Sequence, residues 1–83
     1  MWTWFRKVIF TCTVCRTVQR IPLRRVHFFE RFHDLAGRPV LIRCPQCRRG
    51  LQTATSYRSH TGLLITIDPS NPPNDAFIHD TFG

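Results

Sequence analysis

Apolar and polar positions alternate along most of the chain in short runs, which is the pattern of half-buried β-strands. The runs are bounded by turn-forming residues and read "KVIFTC", "VQRIPL", "PVLIRC", "LQTATSYRS" and "GLLITI". Pro22 ends the second run or places it at a sheet edge, and the last two runs flank a turn at His60 to Gly62. The pattern therefore predicts a mostly-β domain.

The hydrophobic period changes in "RVHFFERFHDLAGRP". Phe28, Phe32 and Leu35 or Ala36 recur at helical spacing, and Gly37 with Pro39 supplies a helix stop. These signals predict one short helix near 24–36. The competing interpretation extends "HFFERF" as a strand that turns at "DLAG" into "RPVLIRC", which would make a longer hairpin.

The length of 83 residues limits the core. A chain of this length forms one domain at most and buries only about 60 to 65% of its unfolded surface. Small domains of this kind usually add disulfides, a structural metal or a partner surface to become stable. Most of the aromatic side chains are expected to fill such a core.

The cysteines form two C-x-x-C pairs, namely Cys12, Cys15, Cys44 and Cys47. No signal peptide is expected, because Arg6 and Lys7 interrupt the apolar N-terminus, and no stretch is long enough to span a membrane. We therefore expect a cytoplasmic protein, or one found in a virion after assembly in a host cytoplasm, with no membrane partner. Thiols stay reduced there, which favours metal or redox chemistry over disulfides.

A redox C-x-x-C lies where a strand meets the N-terminus of a helix. Neither pair has that setting, because each follows a strand-like run and enters a polar turn. Two such turns can grip one ion, so that four thiolates form a closed tetrahedron. The four cysteines are therefore predicted to bind one structural Zn²⁺.

The second pair resembles the knuckle of the zinc-ribbon family. Its sequence "CPQCRRG" matches C-P-x-C-x-x-G, with Pro45 and Gly50 shaping the turn, whereas "CTVCRTV" is a plainer knuckle. The resemblance covers about residues 8–67, and it implies a small metal-stabilised fold with two knuckles. The spacer of 28 residues is longer than the usual spacer of about 15 to 20. Iron in a rubredoxin-like site is the alternative, although Arg16 and Arg48 stand where those knuckles usually carry glycine.

No catalytic residue is predicted. A catalytic zinc keeps an open position and often has a carboxylate nearby, whereas a four-cysteine site is closed. Glu30 and Asp34 are the acidic residues within the first 67, and neither is near a knuckle in sequence. The histidines have no predicted role as ligands; they are His27, His33, His60 and His79. We therefore expect neither an enzyme nor a small-molecule substrate.

Charge divides the chain into two blocks. Residues 1–67 contain all 12 basic residues, and residues 68–83 contain three of the five acidic residues. The arginines that flank the knuckles, Arg16, Arg43, Arg48 and Arg49, would first offset the thiolate charge. An anionic partner surface, either nucleic acid or an acidic protein face, is predicted from the others, Arg20, Arg24, Arg25, Arg31 and Arg38.

The predicted organisation is an aromatic N-terminal arm (1–7), the zinc-ribbon domain (8–67) and an extended Pro/Asn-rich C-terminal arm (68–83). Four arm residues are predicted to dock on neighbouring protein subunits: Trp2, Trp4, Phe77 and Phe82. These features favour a non-enzymatic, zinc-binding structural subunit of a large assembly such as a virion or a ribonucleoprotein particle. The alternative is a basic zinc-ribbon regulator that binds nucleic acid or a transcription complex.

Overall fold

The computed structural model describes residues 6–32, 38–68, 70, 71, 73 and 75–80. Its elements in chain order are β1 (Lys7–Cys12), β2 (Val18–Pro22), α1 (Leu23–Phe32), β3 (Val40–Arg43), β4 (Leu51–Thr53), β5 (Ser56–Arg58), β6 (Leu64–Thr66) and β7 (Phe77–His79). The prediction of a small, mostly-β domain with one short helix is confirmed at this level. The end of the predicted helix, at 33–36, lies outside the described residues.

Five strands form one sheet in the order β2, β1, β4, β3, β7, and β5 and β6 form a separate hairpin. β1 pairs antiparallel with β2 and with β4, and β3 pairs antiparallel with β4. Each cysteine pair lies between two of these antiparallel strands, because the first connects β1 to β2 and the second connects β3 to β4. The sheet therefore brings the two connections to neighbouring positions.

Alternation along β1 and β2 produces the inner face of the first hairpin. Val8 and Phe10 point inward on β1, and Ile21 lies opposite Val8 on β2. The core extends from there to β3 and the small hairpin; its buried members are Val8, Phe10, Ile21, Leu23, Val26, Val40, Leu41, Ile42, Ala54, Tyr57, Ile65 and Ile67. All three apolar residues of β3 are buried, which shows that both faces of this strand are covered.

α1 begins directly after Pro22, and the backbone N–H of Leu23 donates to the carbonyl of Arg6 over 2.7 Å. Leu23 and Val26 are buried on its inner face. The predicted spacing of Phe28 and Phe32 is helical, but the expectation that most aromatic side chains fill the core is wrong for both. They lie on the outer face because Leu23 and Val26, at their own helical spacing, occupy the side that contacts the sheet.

Polar contacts attach α1 to the β5–β6 hairpin. Glu30 is fully buried, and its Oε2 accepts the backbone N–H of His60 at 2.8 Å and lies 3.2 Å from His60 Nδ1. His27 Nε2 lies 2.7 Å from the carbonyl oxygen of Arg58. Both histidines therefore contact the backbone or a carboxylate of the fold.

Part of the segment predicted to form an extended C-terminal arm pairs with the sheet. Residues 77–79 form β7, which pairs in parallel with residues 40–42 of β3. The half-buried Ala76 packs against the core, and the ring of His79 makes an edge contact with Phe29 at 4.2 Å. This segment contributes a strand because β3 offers it an otherwise open edge, and backbone pairing needs no apolar pattern.

α1 has ten residues, far fewer than a bilayer requires. None of the described helices combines the length and the apolar character needed to cross a membrane.

Candidate metal centre

The four cysteines converge at one end of the sheet. Their Sγ atoms all lie within 4.8 Å of one another. Cys12 Sγ is 3.7 Å from Cys47 Sγ, and Cys15 Sγ is 3.4 Å from Cys44 Sγ. A regular tetrahedron with Zn–S bonds of about 2.3 Å places its sulfurs about 3.8 Å apart. These residues can therefore hold a metal ion, and their spacing is compatible with one zinc.

The first knuckle is closed by its own backbone. The N–H of Cys12 donates to the carbonyl of Thr17 at 2.9 Å, which completes the turn between β1 and β2. The N–H groups of Val14 and Cys15 point at Cys12 Sγ, at 3.3 and 3.4 Å. Thr17 Oγ1 lies 2.9 Å from Cys15 Sγ. The two backbone N–H groups favour the thiolate form of Cys12, which is the form that binds a metal.

The second knuckle repeats this design. The N–H of Cys44 donates to the carbonyl of Gly50, and the N–H of Arg48 donates to the carbonyl of Cys44, each at 3.0 Å. Arg16 and Arg48 follow the last cysteine of their knuckles and share a left-handed backbone, with φ of 64° and 60°. Glycine is favoured in this conformation. Both arginines therefore have a strained backbone, at equivalent positions in the two turns.

Gly50 is required by close packing between the knuckles. A Cβ added at this position would lie 2.7 Å from Cys12 Sγ and 2.9 Å from Val14 Cγ2. No side chain fits there without moving the first knuckle. The glycine that carried the zinc-ribbon resemblance is thus explained by the approach of the second knuckle to the first.

The two thiols of the second knuckle have lowered pKa values, so they ionise more readily than a free cysteine. Burial raises the pKa of Cys44, but the backbone N–H groups of Cys47 and Gln46 and the nearby Cys15 and Cys12 side chains outweigh it and lower that pKa to about 6. The N–H groups of Arg49 and Gly50 lower the pKa of Cys47. Burial instead raises the pKa of Cys12, against the N–H groups of Cys15 and Val14. The second knuckle therefore forms metal-binding thiolates more readily than Cys12 of the first knuckle does.

Gln52 was not predicted to belong to the site. It is fully buried on β4, where its Nε2 donates to the carbonyl of Thr17 at 3.4 Å and lies 4.0 Å from Cys44 Sγ. Its Oε1 accepts a hydrogen bond of 2.6 Å from Gln19 Nε2. Gln52 thereby connects the end of the first knuckle to a sulfur of the second. A polar residue between Leu51 and Ala54 in an otherwise strand-like run was the available signal.

An acidic residue beside the second knuckle, Asp80, pairs with an arginine. Arg43, Cys44 and Asp80 line a cavity of about 240 Å³ beside the second knuckle. Arg43 Nε lies 3.2 Å from Asp80 Oδ1, so this arginine pairs with a carboxylate instead of offsetting the thiolates. Among the described residues, neither a carboxylate nor an imidazole joins the sulfur cluster.

The structure brings together only part of the predicted anionic-partner set. Arg24 and Arg25 border one cavity on α1, and Arg31 borders the next. Arg20 lies on β2 opposite Ile9, and Arg38 is exposed just before β3. Three of the predicted docking residues, Trp2, Trp4 and Phe82, lie outside the described residues. Phe77 lies on β7, paired with Val40 of β3.

Comparisons with protein-family models, with curated proteins and with solved structures find no match. The fold and the sulfur cluster are therefore the basis for any functional proposal.

Proposed function

We propose that this chain is a non-enzymatic structural subunit of a larger assembly, a virion or a ribonucleoprotein particle, in which one zinc ion stabilises the fold. The supporting observation is the sulfur cluster. Four thiolates fill a tetrahedral zinc and leave no open position for water or substrate. Thiolate-only tetrahedral sites favour zinc or iron–sulfur chemistry over harder cations, and zinc adds stability without redox activity.

The two edge strands of the sheet are the proposed contacts with neighbouring proteins. β2 and β7 are the outer strands, and each carries an exposed apolar side chain, Val18 at 53% and Ile78 at 47% exposure. Edge strands present backbone groups that another chain can pair with. Apolar side chains at such edges favour a contact that excludes water.

Sedimentation of the chain from the cells that make it tests the assembly role. The chain has a mass of 9.8 kDa and should sediment in a much larger complex. Val18→Asp combined with Ile78→Asp should return it to the position of a free monomer, because each change buries a charge in the contact. Thr66→Asp, on the exposed face of β6, is the matched control. A wild-type chain that sediments as a monomer contradicts the proposal.

A closed metal site is tested separately by replacing zinc with Co²⁺. The visible spectrum of a four-thiolate site should not change when azide or imidazole is added, because no position is open to them. A spectral change on adding either ligand would show an open site and would remove the non-enzymatic assignment.

Binding of nucleic acid is a second candidate function. It is favoured by the net charge of +7 and by three exposed arginines on one helix, Arg24, Arg25 and Arg31. Guanidinium groups pair with phosphates through two parallel hydrogen bonds.

A further inference from the structure

Two phenylalanine rings project from the outer face of α1. Phe28 is 62% exposed and Phe32 is 73% exposed, and they are one helical turn apart. Their ring planes differ by 18° and their centroids are 6.1 Å apart, so the two rings are stacked along the helix. Exposed aromatic surface of this extent on a small domain marks a binding site.

The aromatic pair is fixed by contacts that reach back to the sheet. Phe29 makes an edge contact with Phe28 at 5.8 Å, and His79 of β7 makes an edge contact with Phe29 at 4.2 Å. A row of rings thus runs from β7 to the surface of α1. These contacts restrain the Phe28 ring before a partner binds, which lowers the entropy cost of binding.

Arginines surround the same two rings. Phe28 is shared by two adjoining cavities, one of about 420 Å³ that includes Arg24 and Arg25, and one of about 320 Å³ that includes Arg31 and Phe32. The acidic residue of α1, Glu30, is fully buried on the opposite face. The outer face of α1 therefore presents guanidinium groups and aromatic rings in alternation, without an exposed carboxylate.

A positively charged groove continues from the start of α1. It has a volume of about 490 Å³, and its charged lining residues are Arg6, Lys7 and Arg58. Leu23, at the start of α1, also lines the groove. The hydroxyl groups of Thr55 and Ser56 supply further hydrogen-bonding partners there. The described lining of the groove contains no acidic residue.

We propose that the outer face of α1 binds single-stranded nucleic acid, with the groove at the start of α1 offering further positive charge to the same strand. The bases stack on Phe28 and Phe32, while the phosphates pair with the surrounding arginines. A single strand repeats one anionic phosphate and one flat base, which matches this alternation. In a duplex the base faces are stacked inside the helix, so only its phosphates can contact this surface, by pairing with the arginines. An acidic protein segment matches the charges but makes no specific use of the two exposed ring faces.

This proposal rests on nucleic acid binding, the second candidate function. Its test measures fluorescence anisotropy of a labelled mixed-sequence RNA or DNA oligonucleotide, single-stranded or as a duplex, with the zinc-loaded full chain. Phe28→Leu with Phe32→Leu removes the rings and keeps apolar side chains that favour a helix. Phe28→Tyr with Phe32→Tyr restores the rings. Leu63→Ala is the control at an exposed apolar position outside α1.

The single strand should bind more tightly than the duplex, and the double leucine variant should lose about tenfold or more in affinity. The tyrosine variant and the Leu63→Ala control should bind as the wild type does. Arg25→Gln with Arg31→Gln should flatten the double-logarithmic salt slope by about 1.4, since each single-strand phosphate contributes about 0.7. Arg43→Gln, which removes a charge paired with Asp80, should leave the slope unchanged.

Three results would overturn the proposal in distinguishable ways. Equal affinity for single strand and duplex, or binding that is indifferent to the leucine changes, removes base stacking and leaves the nucleic acid candidate. Failure to bind either nucleic acid removes the candidate function as well. Poly-glutamate that binds with the same dependence on Phe28 and Phe32, while the oligonucleotides do not bind, identifies an acidic protein segment as the partner.

Discussion

Gly50 gives a direct test of how closely the two knuckles approach each other. In Gly50→Ala, the new Cβ would lie 2.7 Å from Cys12 Sγ and 2.9 Å from Val14 Cγ2. Carbon atoms prefer separations of about 3.5 to 4.0 Å, so either the first knuckle or the second must move. φ at Gly50 is not positive, and the backbone itself would accept alanine. The cost therefore comes from crowding at a metal ligand.

Overpacking of this kind costs about 1 to 3 kcal/mol. We expect the free energy of unfolding of the zinc-loaded chain to fall by that amount. Gly62→Ala is the control, because Gly62 has φ of 90° and no atom lies within 4 Å of an added Cβ. Alanine there should cost about 1 to 2 kcal/mol through backbone strain alone. Stability falls in both variants, so a second readout is needed to separate them.

The second readout is the thiolate-to-metal absorption of the Co²⁺-substituted chain. Gly50→Ala should shift this absorption, since movement of either knuckle changes the distances between the sulfurs of the cluster. Gly62→Ala should leave it unchanged. If Gly50→Ala is as stable as the wild type, or if the two variants alter the spectrum equally, the two knuckles do not approach each other as closely at residue 50 as described.

Three further predictions follow from contacts outside the knuckles and from the sulfur ionisation. Truncation after Asp75 removes β7 and should lower the free energy of unfolding in urea by roughly 2 kcal/mol, because β3 keeps β4 as a partner but loses the strand on its other edge; an equally stable truncated chain would show that β7 contributes nothing. Glu30→Ala should cost about 2 to 4 kcal/mol by leaving the buried N–H of His60 without its acceptor, and Glu30→Gln should cost less, since it keeps an acceptor oxygen. Equal losses would argue against the hydrogen bond. The pKa of Cys44 is lowered from its ordinary value of 9.0 to about 6 in the folded chain, so its thiolate contribution to metal affinity is complete well above pH 6 and is lost as the pH falls through about 6. Competition with a chromophoric chelator across this range measures it, and a pH-independent affinity would contradict the assignment of Cys44 as a ligand.

The spacing of the cysteines was enough to predict the sulfur cluster. Two C-x-x-C turns that each join antiparallel strands must bring four thiols together if those strands share a sheet. Alternation likewise predicted β1 and β2, because Val8, Phe10 and Ile21 bury one face of a hairpin. The zinc-ribbon assignment itself stays a prediction, since neither the fold nor the comparisons identify that family.

Other features depend on contacts that local patterns do not encode. The parallel pairing of β7 with β3 joins residues far apart in sequence. The Pro- and Asn-rich residues that precede β7 favour an extended chain in isolation. The helical spacing of Phe28 and Phe32 indicated a helix but did not indicate which face meets the sheet. Gln52 is a polar residue whose partners, Thr17 and Cys44, come from two separate turns. In each case the deciding contact is tertiary.

X-ray absorption spectroscopy of the purified zinc-loaded chain tests the central claim most directly, because it counts and identifies the atoms bound to the metal. We predict one zinc per chain, four sulfur neighbours at about 2.3 Å, and no nitrogen or oxygen neighbour. A first shell that contains nitrogen or oxygen, or a folded chain that binds no metal at the four cysteines, would contradict the account.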